Sequence, residues 1–349
     1  MLKYNKGKKT MNQNNTRQVD QRQWYPAALL FLLLNVLIIY SQGFILTAAL
    51  ICPIYLLFIY SRHGTVAFFS TAAAGLLPYA VLGGADNLLA AAVTFLIMTF
   101  GHLLVIKLKA SPAKALLIMA AAGTASMVFN LGILIYIVEK TDFMGFFAGI
   151  ASESSKMVLN VLEHSEVTLP ESQKLLFKEI AAALTPTMIA DQVAPMVIQY
   201  GAIIGYLGLR LSWRAIADGR LKPVKVPYFS ELKINTLVLF PTFVLILAGV
   251  YFEGSSLRAG SLLFNTGYSL LTFLGVIGGL SMVWWFLSAR MRVTNRLARV
   301  LGAAAAMFLL GTDTMILMTV VDSVMDFRNL SGSSLWAYLI WKFKATREE

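Results

Sequence analysis

Apolar residues fall into nine blocks separated by polar gaps: 24–41, 44–60, 66–82, 88–106, 115–138, 186–209, 235–252, 261–288 and 300–321. A helix needs about 20 mostly apolar residues to cross roughly 30 Å of hydrocarbon, and it satisfies its own backbone hydrogen bonds while doing so. The pattern predicts an all-α polytopic transmembrane bundle of about nine spans, with eight as the smaller count.

The longest gap, 139–185, has a pattern of its own. Phe143, Phe146, Phe147, Ile150, Met157, Val158, Val161 and Leu162 recur at near-helical spacing, with Glu153, Lys156, Asn160 and Glu163 between them. This predicts an amphipathic helix lying in the outer headgroup region. A second short helix is expected to start at Pro170 and Glu171, because proline and an acid are both favourable in a first turn. Residues 1–23 are basic and Asn/Gln-rich, the composition of a disordered cytoplasmic tail. The block after them ends in no small-residue cleavage site and is read as a retained first helix. Residues 212–234 form a basic cytoplasmic loop between a six-span part, 24–211, and a three-span part, 235–330, and no internal repeat relates the two. The tail, 331–349, holds a Trp- and Tyr-rich run from Leu335 to Trp341 that is too short to cross and suits an interface.

Charge sets the orientation. The gaps before span one and after spans two, four, six and eight hold 20 Lys plus Arg and 3 acids, whereas the opposite gaps and the C-terminal tail hold 9 and 13. Basic residues stay on the cytoplasmic side, so the N-terminus is inside, and nine crossings put the C-terminus outside. Lys342, Lys344 and Arg347 sit uneasily with that last step.

Composition agrees with the membrane reading: 58% of the 349 residues are hydrophobic and 13% charged, against roughly 25% charged in soluble domains. The net charge of +11 lies beside spans and not along an aromatic-interleaved patch, so no nucleic-acid partner is expected. Cys52 is the single cysteine, and His63, His102 and His164 show no metal-ligand spacing. Neither a P-loop nor H-E-x-x-H occurs. Gly279-Leu280-Ser281 lacks the second glycine of a nucleophile elbow. No enzymatic activity and no cofactor are therefore expected.

What remains is polarity inside the spans. Asp191 and Asp313 are intramembrane carboxylates, each costing roughly 2.5–3.5 kcal/mol on insertion scales, which marks them as functional candidates. Asn35, Asn130, Asp191, Gln192, Asn265 and Asp313 fall in the outer half of the bilayer, Gln199 near its middle and His102 in the inner half. Facing inward, the outer set would line a polar cavity open to the outside. Facing one another in pairs, the amides would only bind helices together, at about 0.6 kcal/mol each. In span six, Asp191 and Gln192 lie between Pro186 and Pro195, where a kink or short break is expected. Gly201 and Gly205, like Gly275 and Gly279, form G-x-x-x-G faces for close helix packing.

After span nine, Asp322 and Asp326 lie four apart with Arg328 near enough to neutralise one of them, the pattern of a salt-bridged helix end. This D-S-x-x-D-F-R ending, behind a front part of five to six spans, resembles the YybS-like family of bacterial membrane proteins, whose domain has no assigned function. The resemblance covers about residues 24–330. That family is grouped in turn with the substrate-binding S components of energy-coupling factor transporters. The resemblance implies that residues 24 to about 211 form an S-component-like unit, with a separate ATPase and a membrane coupling subunit as partners. The last three spans are an addition that S components lack, and span one shows no A-x-x-x-A docking pattern.

The resulting expectation is a multi-pass protein of the bacterial inner membrane that binds or transports an unidentified small solute. Its outward-facing pocket would be lined by Asn130, Asp191, Gln192, Asn265 and Asp313. The other reading is a structural or assembly protein of the cell envelope.

Overall fold

The computed structural model describes residues 24–40, 44–164, 170–216, 221–253 and 258–330; the readings of 1–23 and 331–349 lie outside the described residues. Those residues form eleven α-helices and no strand: α1 (Trp24–Tyr40), α2 (Phe44–His63), α3 (Thr65–Pro78), α4 (Gly84–Lys107), α5 (Pro112–Ile133), α6 (Phe143–Glu163), α7 (Glu171–Ala183), α8 (Pro186–Ile216), α9 (Thr236–Glu253), α10 (Arg258–Trp285) and α11 (Arg296–Met325). Each of the nine apolar blocks is a helix, and α6 and α7 occupy the long gap, with α7 starting directly after Pro170. The fold is therefore an all-α polytopic membrane bundle. The chain divides into two compact units, one comprising residues up to Phe146 together with Tyr200–Val226, the other Phe147–Gln199 together with the chain from Pro227 onward.

In the first unit, packing follows small and polar residues, because the spans are apolar on every side and hydrophobicity alone selects no inner face. Large aliphatic side chains of α1 such as Leu29, Leu30 and Leu37 point outward, while Ala28, Phe31, Asn35 and Ile38 are buried. The ring of Phe31 stacks on Tyr55 at 4.9 Å and occupies the space that a side chain at Gly75 would fill. Beside it the Asn35 amide donates to the carbonyl of Phe31 (2.7 Å), and its oxygen accepts from the Tyr79 hydroxyl (2.9 Å) and the Cys52 thiol (3.3 Å), joining α1, α2 and the end of α3. The chain then turns at Gly84, whose φ of 83° is open to glycine at little cost. Further along, Gly123 of α5 meets the backbone of Gly201, and Gly205 meets the backbone at Met119 and Ala120. Close approach there buries His102 of α4 beside Gly208.

Of the kink or short break expected in span six, the break is absent: α8 is a continuous helix from Pro186 to Ile216. Pro186 sits in the first turn, where no intrahelical donor is required. Pro195 removes one helical bond, the one to the carbonyl of Asp191, and the adjoining turns carry the helix across that position.

In the second unit, α9 and α10 run antiparallel, with Gly249 against Phe264, Gly267 against Ile246 and Gly260 against Glu253. A bend lies in α11. At Gly311 the backbone leaves helical geometry (φ 73°, ψ 170°), splitting α11 into an arm from 296 to 310 and an arm from 312 to 325. At 1.5 Å per residue each arm is about 21–22 Å long, short of the roughly 30 Å of hydrocarbon. The neighbours of α11 show its course. Arg299 lies over Trp284 and Gly302 beside Leu287 near the end of α10; Met315, Ile316 and Thr319 then lie against Gly275–Gly279, Ser323 meets Thr236 at the start of α9, and Arg328 bonds to Ser281. A straight 30-residue helix antiparallel to α10 would have carried Met325 to the far end of that helix. Both ends of α11 instead stay beside the same end of α10, so the described part of this block doubles back where a single straight crossing was expected. The smaller count of eight crossings fits this course.

Candidate functional site

The returning arm of α11 is seated by glycines and then fastened by charge. Met315, Thr319, Asp322 and Ser323 recur at helical spacing and are buried, which defines one face of the arm. Gly275, Gly278 and Gly279 of α10 give that face room: a Cβ at Gly275 would lie 2.9 Å from the Cα of Ile316, and one at Gly279 would lie 2.9 Å from the Cα of Met315. Thr319 uses the proximity to donate its hydroxyl to the carbonyl of Gly275 (2.6 Å) or of its own Met315 (2.9 Å).

At the end of the arm, Asp326 adopts left-handed geometry (φ 49°) and its amide closes the helix on the carbonyl of Asp322 (2.9 Å). The reversal folds Arg328 back onto the helix end. Its Nε and Nη2 donate to one oxygen of Asp322 (3.1 and 2.7 Å), Nη1 to the Ser281 hydroxyl and the carbonyl of Ser230 (2.8 and 3.0 Å), and Nη2 also to the carbonyl of Leu232 (3.1 Å). All five guanidinium N–H groups are thereby used. Ser281 in turn donates to the carbonyl of Phe229 or Leu232 (2.5 and 2.8 Å). Asp322, Arg328 and Ser281 are all buried, and the second carboxylate oxygen of Asp322 has no hydrogen-bond partner among the described residues. Asp326 is buried too; it accepts from the amide of Leu330 (3.0 Å) and pairs with Lys233 at 3.4 Å. The segment 229–233, α10 and the end of α11 are thus held by one polar clasp.

The bend above the clasp carries different chemistry. Where the helix breaks, the last carbonyls of the first arm and the first amides of the second lose their intrahelical partners. Asp313, two residues beyond Gly311, is exposed, with no hydrogen-bond or ion-pair partner among the described residues. Apolar residues on both arms are open as well, Phe308 at 89% and Leu317 at 62% exposure. The backbone device has a counterpart in the first unit: Gly84-Ala85-Asp86 and Gly311-Thr312-Asp313 both place a left-handed glycine two residues before an acid at the start of a helix.

The remaining candidates are carried by other helices. Asn130 donates to Thr94 (2.9 Å) and to the carbonyl of Ser126 (2.7 Å), which ties α4 to α5 within the first unit. Asp191, Gln192 and Asn265 belong to the second unit and are half-buried; Gln192, Asn265 and Asp313 form no hydrogen bonds with one another. Gln199 donates to the hydroxyl and carbonyl of Ser269 (2.9 and 3.2 Å), joining α8 to α10. Among the described residues no group of three His, Cys, Asp or Glu side chains is arranged to hold a metal ion. Sequence reasoning placed Arg328 beside an acid but missed its bonds to Ser281 and to segment 229–232, which lie about fifty and a hundred residues away.

A family model described as "Predicted membrane protein (DUF2232)" matches residues 28–323, a stretch that includes Gly311, Asp313 and Asp322. No curated protein and no solved structure matches the chain.

Proposed function

The chain belongs to the DUF2232 family of predicted membrane proteins, and from that premise we propose that it binds or transports a small solute across the bacterial inner membrane, with the bend of α11 as part of the solute site. One observation carries the reading: a glycine break inside an apolar helix, followed two residues later by an exposed carboxylate. Broken helices in membrane proteins supply unpaired backbone groups and recur where transporters hold their substrates. An intramembrane carboxylate is costly enough to call for a functional partner. A carboxylate beside free carbonyls favours a solute that brings positive charge or hydrogen-bond donors. The clasp below would hold the returning arm so that the bend keeps its shape. Any ATP-driven uptake would need a separate ATPase and a coupling subunit, since the chain has no P-loop. The reading assigns no catalytic step.

Ligand-induced thermal stabilisation of the detergent-purified protein, against a panel of vitamins, amines, metal ions and nucleobases, tests the proposal, because binding to the native state alone raises apparent stability. A compound that stabilises the wild type and not Asp313→Asn is the expected result. The exposed position of Asp313 predicts that this variant keeps its unliganded melting temperature. A second reading, a structural or assembly protein of the envelope, draws support from the clasp, whose guanidinium is fully used within the chain. That reading prevails if no compound stabilises the protein, or if a stabilising compound acts equally on Asp313→Asn.

A further inference from the structure

Within the first unit, a groove of about 500 Å³ opens between α2 and the last turns of α8. Its α2 wall consists of Ile51, Ile54, Tyr55 and Phe58, which share one helix face at spacings of three, four and seven. Tyr55 is fixed in that wall by its hydroxyl, which donates to the carbonyl of Ala27 (2.7 Å), and by its stacking on Phe31. The α8 wall adds Leu211 and Arg214. Arg210, one turn earlier, spends a donor on the carbonyl of Val226 (3.1 Å), whereas Arg214 has no hydrogen-bond or ion-pair partner among the described residues. At the end of α2, the guanidinium of Arg62 lies 4.5 Å from the centre of the Phe58 ring, beside the groove. No carboxylate lines it. Both helices finish here on the basic, cytoplasmic side. The groove therefore has an apolar wall running into the bilayer and two cations at headgroup level.

We propose that this groove holds one anionic phospholipid, its phosphate at Arg214 and Arg62 and an acyl chain along Ile51, Ile54 and Leu211. Basic pockets between spanning helices on the cytoplasmic side suit acidic headgroups. A zwitterionic headgroup would bring its own ammonium against two arginines with no acid to receive it. The groove is separate from the bend of α11 and does not depend on the solute reading.

Native mass spectrometry of the full chain in detergent, titrated with phosphatidylglycerol, phosphatidylcholine of the same acyl chains and inorganic phosphate, tests the assignment. Phosphatidylglycerol is expected to bind several-fold more tightly than phosphatidylcholine. Arg214→Gln should weaken it about fivefold. Ile51→Trp, which fills the groove without touching charge, should weaken both lipids. Lys114→Gln, an exposed cation on the same face outside the groove, should change nothing. Equal binding of the two lipids, or an Arg214→Gln variant indistinguishable from Lys114→Gln, overturns the proposal. So does an inorganic phosphate adduct as tight as the lipid and lost in Arg214→Gln, which would assign the cations to free phosphate.

Discussion

Arg328 shows what one side chain does for the second unit. Its five donors reach Asp322, Ser281 and the carbonyls of Ser230 and Leu232 from a position 6% exposed. Removing one partner of a buried pair strands the other charge, at a cost of about 3–5 kcal/mol. Arg328→Ala is therefore expected to lower the melting temperature of the detergent-purified protein strongly. Arg328→Lys should recover little, because an ammonium offers three donors from one point and cannot replace a planar fork. A lysine variant as stable as the wild type would contradict this account of the clasp. That Arg328 would pair with Asp322 or Asp326 was legible from spacing, since both acids lie within six residues of it across a helix end; which of them it takes was not. The bonds to Ser281 and the 229–232 segment were not, because they depend on how α11 returns. The same limit applies to Asn35, whose depth could be read but whose contacts with Tyr79 and Cys52 could not.

Among the helices, α11 departs most from what hydropathy suggests. Residues 300–321 read as one span because a sliding window sees apolar content and not φ. A glycine among alanines and leucines raises no alarm in such a window. The usable signal was local: Gly311-Thr312-Asp313 repeats the form of Gly84-Ala85-Asp86, where the chain turns between two helices. Proline, the louder signal, pointed to span six, where the helix runs on across Pro195 because it tolerates the loss of a single bond. Substitution distinguishes a bend from a straight helix by sign. In a continuous helix Gly311→Ala would stabilise by about 0.8–1 kcal/mol, whereas at a left-handed φ it should destabilise by about 1–2 kcal/mol. A chemical-denaturation or thermal midpoint below that of the wild type is the expected outcome, with Gly84→Ala behaving alike. A midpoint raised in Gly311→Ala would return α11 to a straight span.

For the whole molecule, the number of apolar helices followed from the alternation of apolar blocks and polar gaps, while the course of the last of them did not. Spans that are apolar all round carry little information about which faces meet, so a helix that turns back looks the same in sequence as one that crosses. The bend returns residues 326–330 to the end of α10 that also borders the basic 291–295 turn, and it leaves Asp313 at the turning point of the two arms. The proposed solute site depends on this course. Cysteine accessibility in sealed, oriented vesicles tests it most directly. The chain has a single native cysteine, Cys52, which is buried and can be replaced by Ser with its donor to Asn35 retained. Single cysteines would then be placed at the exposed positions Glu253, Thr294 and Leu330. An impermeant maleimide is predicted to label Thr294→Cys and Leu330→Cys from the same, cytoplasmic side and Glu253→Cys from the other. Labelling of Leu330→Cys together with Glu253→Cys would show that α11 crosses the membrane and would contradict the account.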